Sequence, residues 1–411
     1  MKKVILFGFF ILFSIGMVSA STAPEVEWSK TFGGLEDDYA YSVQQVKDGY
    51  VIAGWTSSYG AGGKDVWIVK LDVNGGEVWN KTFGGEYDDY AIDIKQTSDE
   101  GYIIFAQTLS YGASIGSWPD YWIIKLDSNG NEEWNKTFGG SQRDRSHAIE
   151  QTPDGGYILG GDTYSFGAGG YDIWLIKTDS LGNKEWERTF GGSGWDKGGY
   201  VKLTPDGGFI VLGKRGGNVW LIKTDSLGNK EWDRIFDLGT NDDEPHSLDL
   251  TPNGYIIAGG KPSNITDVFL LKVDSSGNKE WARAFGGSGF DSAHAVLRVS
   301  DGYIIAGTTS SFTGNRDVWV IKTDINGNEE WNKTLGDLGR DAATSIAKAL
   351  DGYIVAGYTE SYGSGRADVW LIKLSSETSG IRGQIKTPGF EAFIAMVGLL
   401  TAVYAIRRFG R

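Results

Sequence analysis

Cysteine is absent from the 411-residue chain, and proline is scarce, with 8 residues against 61 glycines. Without cysteine there can be no disulfide, no thiolate nucleophile and no Cys-ligated metal. Abundant glycine and aromatics with little proline exclude a collagen-like chain, and 40% hydrophobic residues exclude a disordered one. Positive charge is also in deficit, since 39 basic residues face 53 acidic ones. The formal charge of −14 makes nucleic acid a poor partner.

Glycine and aromatic residues are abundant instead, the aromatics reaching 13% of the chain. This mixture is typical of many short strands joined by tight turns, with aromatic rings filling the space between sheets. The length exceeds one ordinary hydrophobic core, so we expect several domains or a repeat array.

The first 20 residues are typical of a secretory signal peptide. Lys2 and Lys3 precede an apolar run over residues 4–18, and Val18-Ser19-Ala20 forms a small-residue cleavage site. An uncleaved N-terminal anchor is the alternative. The mature chain is expected to begin near Ser21.

The C-terminal end forms a second targeting segment. Pro388, Gly389 and Phe390 precede an apolar stretch over residues 392–406, which is followed by three arginines at 407, 408 and 411. Fifteen residues make a helix of about 22 Å, short against a hydrocarbon core of roughly 30 Å. Trailing arginines would keep the end of the tail cytoplasmic. A simple membrane anchor is one interpretation.

The order of these parts resembles the PGF-CTERM sorting signal of archaeal surface proteins. The resemblance covers residues 389–411, and residues 376–388 would form the linker before it. It implies that an archaeosortase-like enzyme removes the tail and that a membrane lipid is attached near the new C-terminus. The logic parallels a GPI signal. We therefore expect a protein on the extracellular face of the cell membrane.

Between the two ends the chain repeats itself. Two aromatic series recur at intervals near 50 residues: Trp28, Trp79, Trp134, Trp186, Trp232, Trp281 and Trp331; and Trp67, Trp122, Trp174, Trp220, Phe269, Trp319 and Trp370. A period of this length indicates a solenoid or a propeller. Each period holds four strand-like runs, a to d, which in the first copy are 39–46, 50–56, 65–71 and 77–83. Nothing in the repeat has a helical period.

These features predict an all-β fold, a seven-bladed β-propeller over residues 21–375. The domain opens with a lone strand d at 26–32 and ends at residue 374 with no strand d after it. The first strand should therefore complete the last blade as a clasp. The Asp-x-x-Gly-x-x-x-Trp spacing resembles PQQ-type and WD40-like propellers, but no cofactor is expected, because no single-copy cofactor site is present.

The repeated charged residues are expected to be structural. A lysine recurs in every strand c, whereas a catalytic lysine is needed only once; Lys70 and Asp72 lie on one face of the strand and should form an ion pair at a blade junction. The turn from Asp127 to Asn131 alternates oxygen ligands as a calcium loop does, but Asn-Gly between strands favours a hairpin.

Four Asn-x-Thr sequons are candidates for glycosylation: Asn80, Asn135, Asn264 and Asn332. Asn80, Asn135 and Asn332 directly follow the strand d Trp, on the outermost strand of a propeller blade. A repeated strand sequence without glycan is the alternative.

The loops that join strands b to c and d to a vary in length and emerge on one side of the disc, called here the variable face. Loops that differ between copies of a rigid scaffold are the usual place for binding. Three tryptophans fall outside the two aromatic series, and we expect them to be candidate ligand contacts on this face: Trp55, Trp118 and Trp195. Local packing is the alternative.

The three histidines share one offset in strand a, in blades three, five and six: His147, His246 and His294. Strand a is innermost, so their imidazoles could approach the central channel and hold a divalent metal. Strict alternation instead places this offset with Val43 and Ile149, on the face that packs between blades. We expect packing side chains.

No catalytic residue is assigned. The leading hypothesis is a non-enzymatic surface propeller, membrane- or lipid-anchored, that binds glycans or surface proteins or serves as an envelope scaffold. The alternative is a surface polysaccharide lyase or glycoside hydrolase with a metal in the channel.

Overall fold

A computed structural model describes residues 22–239, 242–261 and 267–376. The expected signal peptide, the linker beyond residue 376, Pro388, Gly389, Phe390 and the apolar tail lie outside the described residues, as does Asn264. Within those three stretches no helix is long and apolar enough to cross a membrane.

The described chain forms 28 strands. The first is β1 (Val26–Phe32). Blades 1 to 3 contain β2 (Asp38–Val46), β3 (Gly49–Thr56), β4 (Asp65–Asp72) and β5 (Glu77–Phe83); β6 (Asp89–Gln96), β7 (Tyr102–Thr108), β8 (Asp120–Leu126) and β9 (Glu132–Phe138); and β10 (Asp144–Gln151), β11 (Tyr157–Thr163), β12 (Asp172–Thr178) and β13 (Lys184–Phe190). Blades 4 and 5 contain β14 (Asp196–Leu203), β15 (Phe209–Arg215), β16 (Asn218–Thr224) and β17 (Lys230–Phe236); and β18 (Glu244–Thr251), β19 (Gly254–Lys261), β20 (Asp267–Asp274) and β21 (Lys279–Phe285). Blades 6 and 7 contain β22 (Asp291–Val299), β23 (Gly302–Thr309), β24 (Asp317–Asp324) and β25 (Glu329–Leu335); and β26 (Asp341–Ala349), β27 (Gly352–Thr359) and β28 (Asp368–Leu374).

Seven four-stranded antiparallel sheets confirm the predicted propeller. Blade 7 has the order β26-β27-β28-β1, so the first strand of the domain completes the last blade. The register of this clasp runs from Val26 opposite Leu374 to Phe32 opposite Val369. The ring therefore closes by hydrogen bonds between the two ends of the domain.

The core lies between neighbouring blades. Strands b and c are buried almost throughout, as in β3 and β4, whereas the outermost strand β5 alternates between exposed and half-buried residues. One cluster joins Val51 and Ile68 of blade 1 to Ile104 of blade 2. Strands b and c are continuous apolar runs because both of their faces are buried.

The hairpin between strands c and d is fitted to its neighbour. Gly130 has φ of 79°, and a Cβ there would lie 2.9 Å from the Trp79 ring of the preceding blade. The Asp127 carboxylate accepts hydrogen bonds from the backbone N–H groups of Asn129 and Asn131, both at 2.8 Å, and from the Asn131 amide at 2.9 Å. The Asp127 oxygens therefore bind groups of the turn itself, which agrees with the interpretation of this loop as a hairpin.

The predicted ion pair between Lys70 and Asp72 is wrong. Lys70 Nζ lies 2.7 Å from Asp48, in the turn between strands a and b of the same blade. The Asp72 carboxylate instead accepts the N–H groups of Asn74 and Gly76, both at 2.8 Å, and shapes the next turn. All seven strand c lysines pair with carboxylates of their own blade, so they stabilise single blades rather than junctions.

Candidate functional site: the central channel and the variable face

Each innermost strand carries a β-bulge at the same place. The extra residue has no partner in strand b, and in blades 1 to 7 it is Tyr41, Ile92, His147, Gly199, His246, His294 and Thr344. A bulge re-aims the side chain and breaks the alternation of faces. The histidines therefore do not follow the strict alternation that grouped them with Val43 and Ile149.

The bulged side chains line the central channel. Its cavity of about 520 Å³ is bounded by strand a of all seven blades, with Tyr41, Ile92, Thr344 and the three histidines among its lining residues. The bulge thus presents one variable side chain per blade to the channel, Gly199 excepted.

Two of the histidines join neighbouring blades. His246 Nδ1 lies 2.8 Å from the carbonyl oxygen of Ala293, and His294 Nδ1 lies 2.7 Å from that of Ala343. Since a carbonyl only accepts, each Nδ1 carries the proton. The two rings are 5.6 Å apart. Burial lowers the pKa of both, and that of His294 falls to about 4, helped by its neighbour His246, so both are neutral at pH 7.

His147 has a different partner. Its Nε2 lies 3.1 Å from Asp162 Oδ2, and the same buried carboxylate receives two bonds of 2.9 Å from the Arg145 guanidinium and one of 3.2 Å from the Gly198 N–H. Burial alone would raise the pKa of Asp162, but its hydrogen bonds and charged neighbours hold it below the usual value. Among the described residues no group of three or more His, Cys, Asp or Glu is arranged to hold a metal ion.

A further set of variable residues forms a ring near the variable face, where strand a begins and strand b ends. In every blade one residue of strand a pairs with one of strand b, and the pairs are Tyr39–Trp55, Tyr90–Gln107, Arg145–Asp162, Lys197–Lys214, Glu244–Gly260, Ser292–Thr308 and Ala342–Tyr358. All seven differ, although the aspartates before them recur. This ring was not predicted. The signal for it in the sequence is a strand position that varies between copies while its neighbours repeat.

Trp55 is part of this ring and is not exposed. It is 5% accessible, stacks on Tyr39 at 4.6 Å, and has Lys64 Nζ at 4.1 Å from its ring. The expectation that Trp55 presents its ring to a ligand on the variable face is therefore corrected: its neighbours cover it.

Trp118 and Trp195 are exposed, at 40% and 62%. The guanidinium of Arg143 lies 5.1 Å from the Trp118 ring, and Lys197 Nζ lies 4.7 Å from the Trp195 ring. Tyr171, which is 8% exposed, packs edge-on against Trp195 at 5.8 Å. The loops of blades 2 to 4 thus hold two indoles in fixed positions, each with a cation beside it.

The sequon asparagines Asn80, Asn135 and Asn332 are exposed and have a structural role. The side-chain oxygen of Asn135 accepts a hydrogen bond of 3.2 Å from the Trp122 indole of strand c, and the amide donates to Glu132 at 2.6 Å. Asn80 and Asn332 repeat this arrangement. Glycosylation of these sites stays a prediction.

Comparisons with known proteins agree with both parts of the chain. A family model described as "PGF-CTERM motif" matches residues 387–408. The WD40 domain of Neurospora crassa Pan2 has a TM-score of 0.50 at 12% identity, over 82% of this chain and 89% of that one. BBS1N, solved in complex with ARL6DN, has a TM-score of 0.53 at 9% identity, over 86% and 98%. Identities this low establish the fold alone. A search of the curated proteins found no match.

The motif indicates a protein that is processed at its C-terminus and anchored in the membrane at the cell surface. The chain is therefore a seven-bladed β-propeller with WD40-like structural neighbours that carries a PGF-CTERM motif at residues 387–408.

Proposed function

We propose that this protein is a binding module displayed on the extracellular face of an archaeal cell membrane. The propeller acts as a rigid disc, and the loops of blades 2 to 4 on its variable face contact the ligand. An archaeosortase-like enzyme and a membrane lipid are the partners of the tail, and a glycan or a surface protein is the ligand of the disc.

The observation that carries this proposal is the exposure of Trp195. The Trp195 ring is 62% exposed, packs edge-on with Tyr171 and has Lys197 Nζ over it at 4.7 Å from its centre, so it combines a flat apolar surface with a charge. Rigid aromatic anchors of this kind dominate recognition surfaces. The repeated Lys and Asp residues, by contrast, are used within the scaffold, as in the pair of Lys70 and Asp48.

The test uses the propeller alone, residues 21–376, whose strands all pair within that range. The purified domain is incubated with cell-envelope fractions and a glycan array. We expect binding that weakens at least about tenfold in Trp195→Ala, the loss typical of a truncated interface Trp. Leu338→Ala is the matched control, because Leu338 is 86% exposed in the loop before blade 7.

Retained binding in a triple His147→Ala, His246→Ala, His294→Ala variant is also expected, provided that the variant stays folded. Absence of binding to every cell-envelope fraction, or equal loss in the Trp195 and Leu338 variants, would contradict the proposal.

A further inference from the structure

Two similar units stand at neighbouring blade junctions of the variable face. Trp118, before strand β8, pairs with Arg143 at the junction of blades 2 and 3. Trp195 pairs with Lys197 at the junction of blades 3 and 4. Each unit combines an indole that is at least 40% exposed with one cation about 5 Å from its ring. We call them the paired indole–cation units.

The cations of these units have no carboxylate partner. In the described parts of the chain neither Arg143 nor Lys197 makes an ion pair, and the buried Nε of Arg143 has no hydrogen-bond acceptor. Every strand c lysine, by comparison, lies within 3.3 Å of a carboxylate. Other cations in the described chain also lack an ion pair and lie over rings, such as Arg188 over Trp186, but Trp118 and Trp195 are the rings of such pairs that are at least 40% exposed. The electrostatic complement of the cations in the two units is an anion.

The surroundings of Trp195 fix the second unit in place. Arg145 binds the Asp162 carboxylate through two hydrogen bonds, so its own charge is compensated, and its guanidinium lies 4.8 Å from the Tyr171 ring. Tyr171 in turn packs against Trp195. The second unit is therefore held by a network before any ligand arrives, and a preorganised surface loses less entropy on binding.

We propose that the paired indole–cation units bind a carboxylated oligosaccharide. One sugar ring lies on each indole through its C–H face, and its carboxylate pairs with Arg143 or Lys197. Two similar units at neighbouring blade junctions suit a ligand that repeats the same acidic sugar along a chain. This assignment rests on the proposed binding function and names its ligand class.

The test measures binding of a galacturonic acid tetramer to residues 21–376 by calorimetry, with the fully methyl-esterified tetramer as the neutral counterpart. We expect the acid to bind at least about tenfold more tightly than the ester and its affinity to fall as salt rises. Lys197→Gln and Arg143→Gln should weaken binding of the acid and leave that of the ester unchanged.

Lys184→Gln is the matched charge control, because Lys184 is an exposed strand d lysine paired with Glu187. It should leave both affinities unchanged. Circular dichroism and thermal unfolding show whether each variant is folded, and Trp118→Ala and Trp195→Ala, which keep both cations, should weaken acid and ester alike.

Four other outcomes would test the assignment of a carboxylated oligosaccharide as the ligand. A sulfated tetramer that binds better than the carboxylated one would overturn the carboxylate assignment. Equal affinity for acid and ester would overturn it too, while leaving a binding module for neutral glycans. Binding of poly-glutamate but of no saccharide would overturn it in favour of a protein partner. Binding of the acid tetramer with no binding to cell envelopes would support this site and contradict only the proposed surface function.

Discussion

His294 donates its Nδ1–H to the carbonyl oxygen of Ala343 at 2.7 Å, across the junction of blades 6 and 7. One blade further, the Thr344 hydroxyl donates the equivalent bond to the carbonyl oxygen of Ala40 at 2.8 Å, across the junction of blades 7 and 1. His246 does the same with Ala293. The residue presented by each of these bulges therefore joins its blade to the next one.

Replacing His294 by Ala should destabilise the propeller, because the buried carbonyl of Ala343 loses its donor. The expected loss is about 1–3 kcal/mol in the free energy of unfolding, measured by urea denaturation. His294→Thr should recover part of this loss, since Thr344 fills the same position in the next blade. Equal losses in the Ala and Thr variants would show that the hydrogen bond does not matter.

The Asp120 carboxyl should make stability depend on pH. It is fully buried, Oδ2 accepts the Ala113 N–H at 2.5 Å, and Oδ1 has no partner within the described chain. Burial, with the nearby Asp144 adding to it, raises its pKa to about 6. The folded state thus binds this proton more tightly than the unfolded state. The stabilising contribution is complete below the unfolded pKa near 4 and is lost as the pH rises through about 6.

Asp120→Asn removes this titration. The unfolding free energy of the wild type relative to this variant should therefore fall by about 1–3 kcal/mol between pH 4 and pH 7. Asp99→Asn supplies a control of opposite sign. Burial would raise the pKa of Asp99, but hydrogen bonds from Thr97 and Lys125 outweigh it and lower the pKa to about 2. Its stabilising contribution is present above pH 4 and lost towards pH 2. A flat difference for Asp120→Asn would contradict the prediction.

Lys322 should matter more than a surface lysine. Its side chain is fully buried, and Nζ lies 2.6 Å from Glu330 and 3.3 Å from Asp301. Lys322→Met keeps the volume but leaves both carboxylates without their cation, so we expect a loss of about 1–3 kcal/mol, moderated because both carboxylates are partly exposed to water. Lys184→Met, which breaks an exposed pair, should cost under about 1 kcal/mol in the same chemical denaturation. Similar losses in the two variants would contradict this prediction.

Removing residues 21–33 should open the ring. The deletion removes all of β1, which is the strand that pairs with β28. It also removes Glu27, whose carboxylate lies 3.1 Å from Lys373 Nζ. It leaves β28 as an unpaired edge. The melting temperature should fall sharply. An unchanged melting temperature after this deletion would contradict the role of the clasp.

Much of the fold follows from local patterns. The sequence predicts the first strand with the bounds observed, Val26–Phe32, and it predicts that this strand completes blade 7. The c–d hairpin could be assigned because Asn-Gly turns have a local cause, the positive φ of Gly130. The structural role of the strand c lysines was also predictable, because a catalytic site needs one lysine, whereas this lysine recurs in all seven blades.

The candidate site was less predictable. Trp118 and Trp195 were chosen because they break the repeat, and both are exposed. Trp55 was chosen for the same reason but is covered by Lys64 and Tyr39. Breaking a repeat marks a residue as distinct, but only its neighbours in space decide whether it meets solvent.

The sequence by itself determined the number of blades, the order of strands and the way the ring closes, because periodicity and turn residues are properties of neighbouring positions along the chain. Only the tertiary structure decided where His147, His246 and His294 point and which carboxylate pairs with Lys70. A one-residue bulge changes which face a side chain lies on, and a folded turn brings Asp48 closer than the same-face neighbour Asp72. Both effects depend on hydrogen bonds between strands, which leave no period in the sequence.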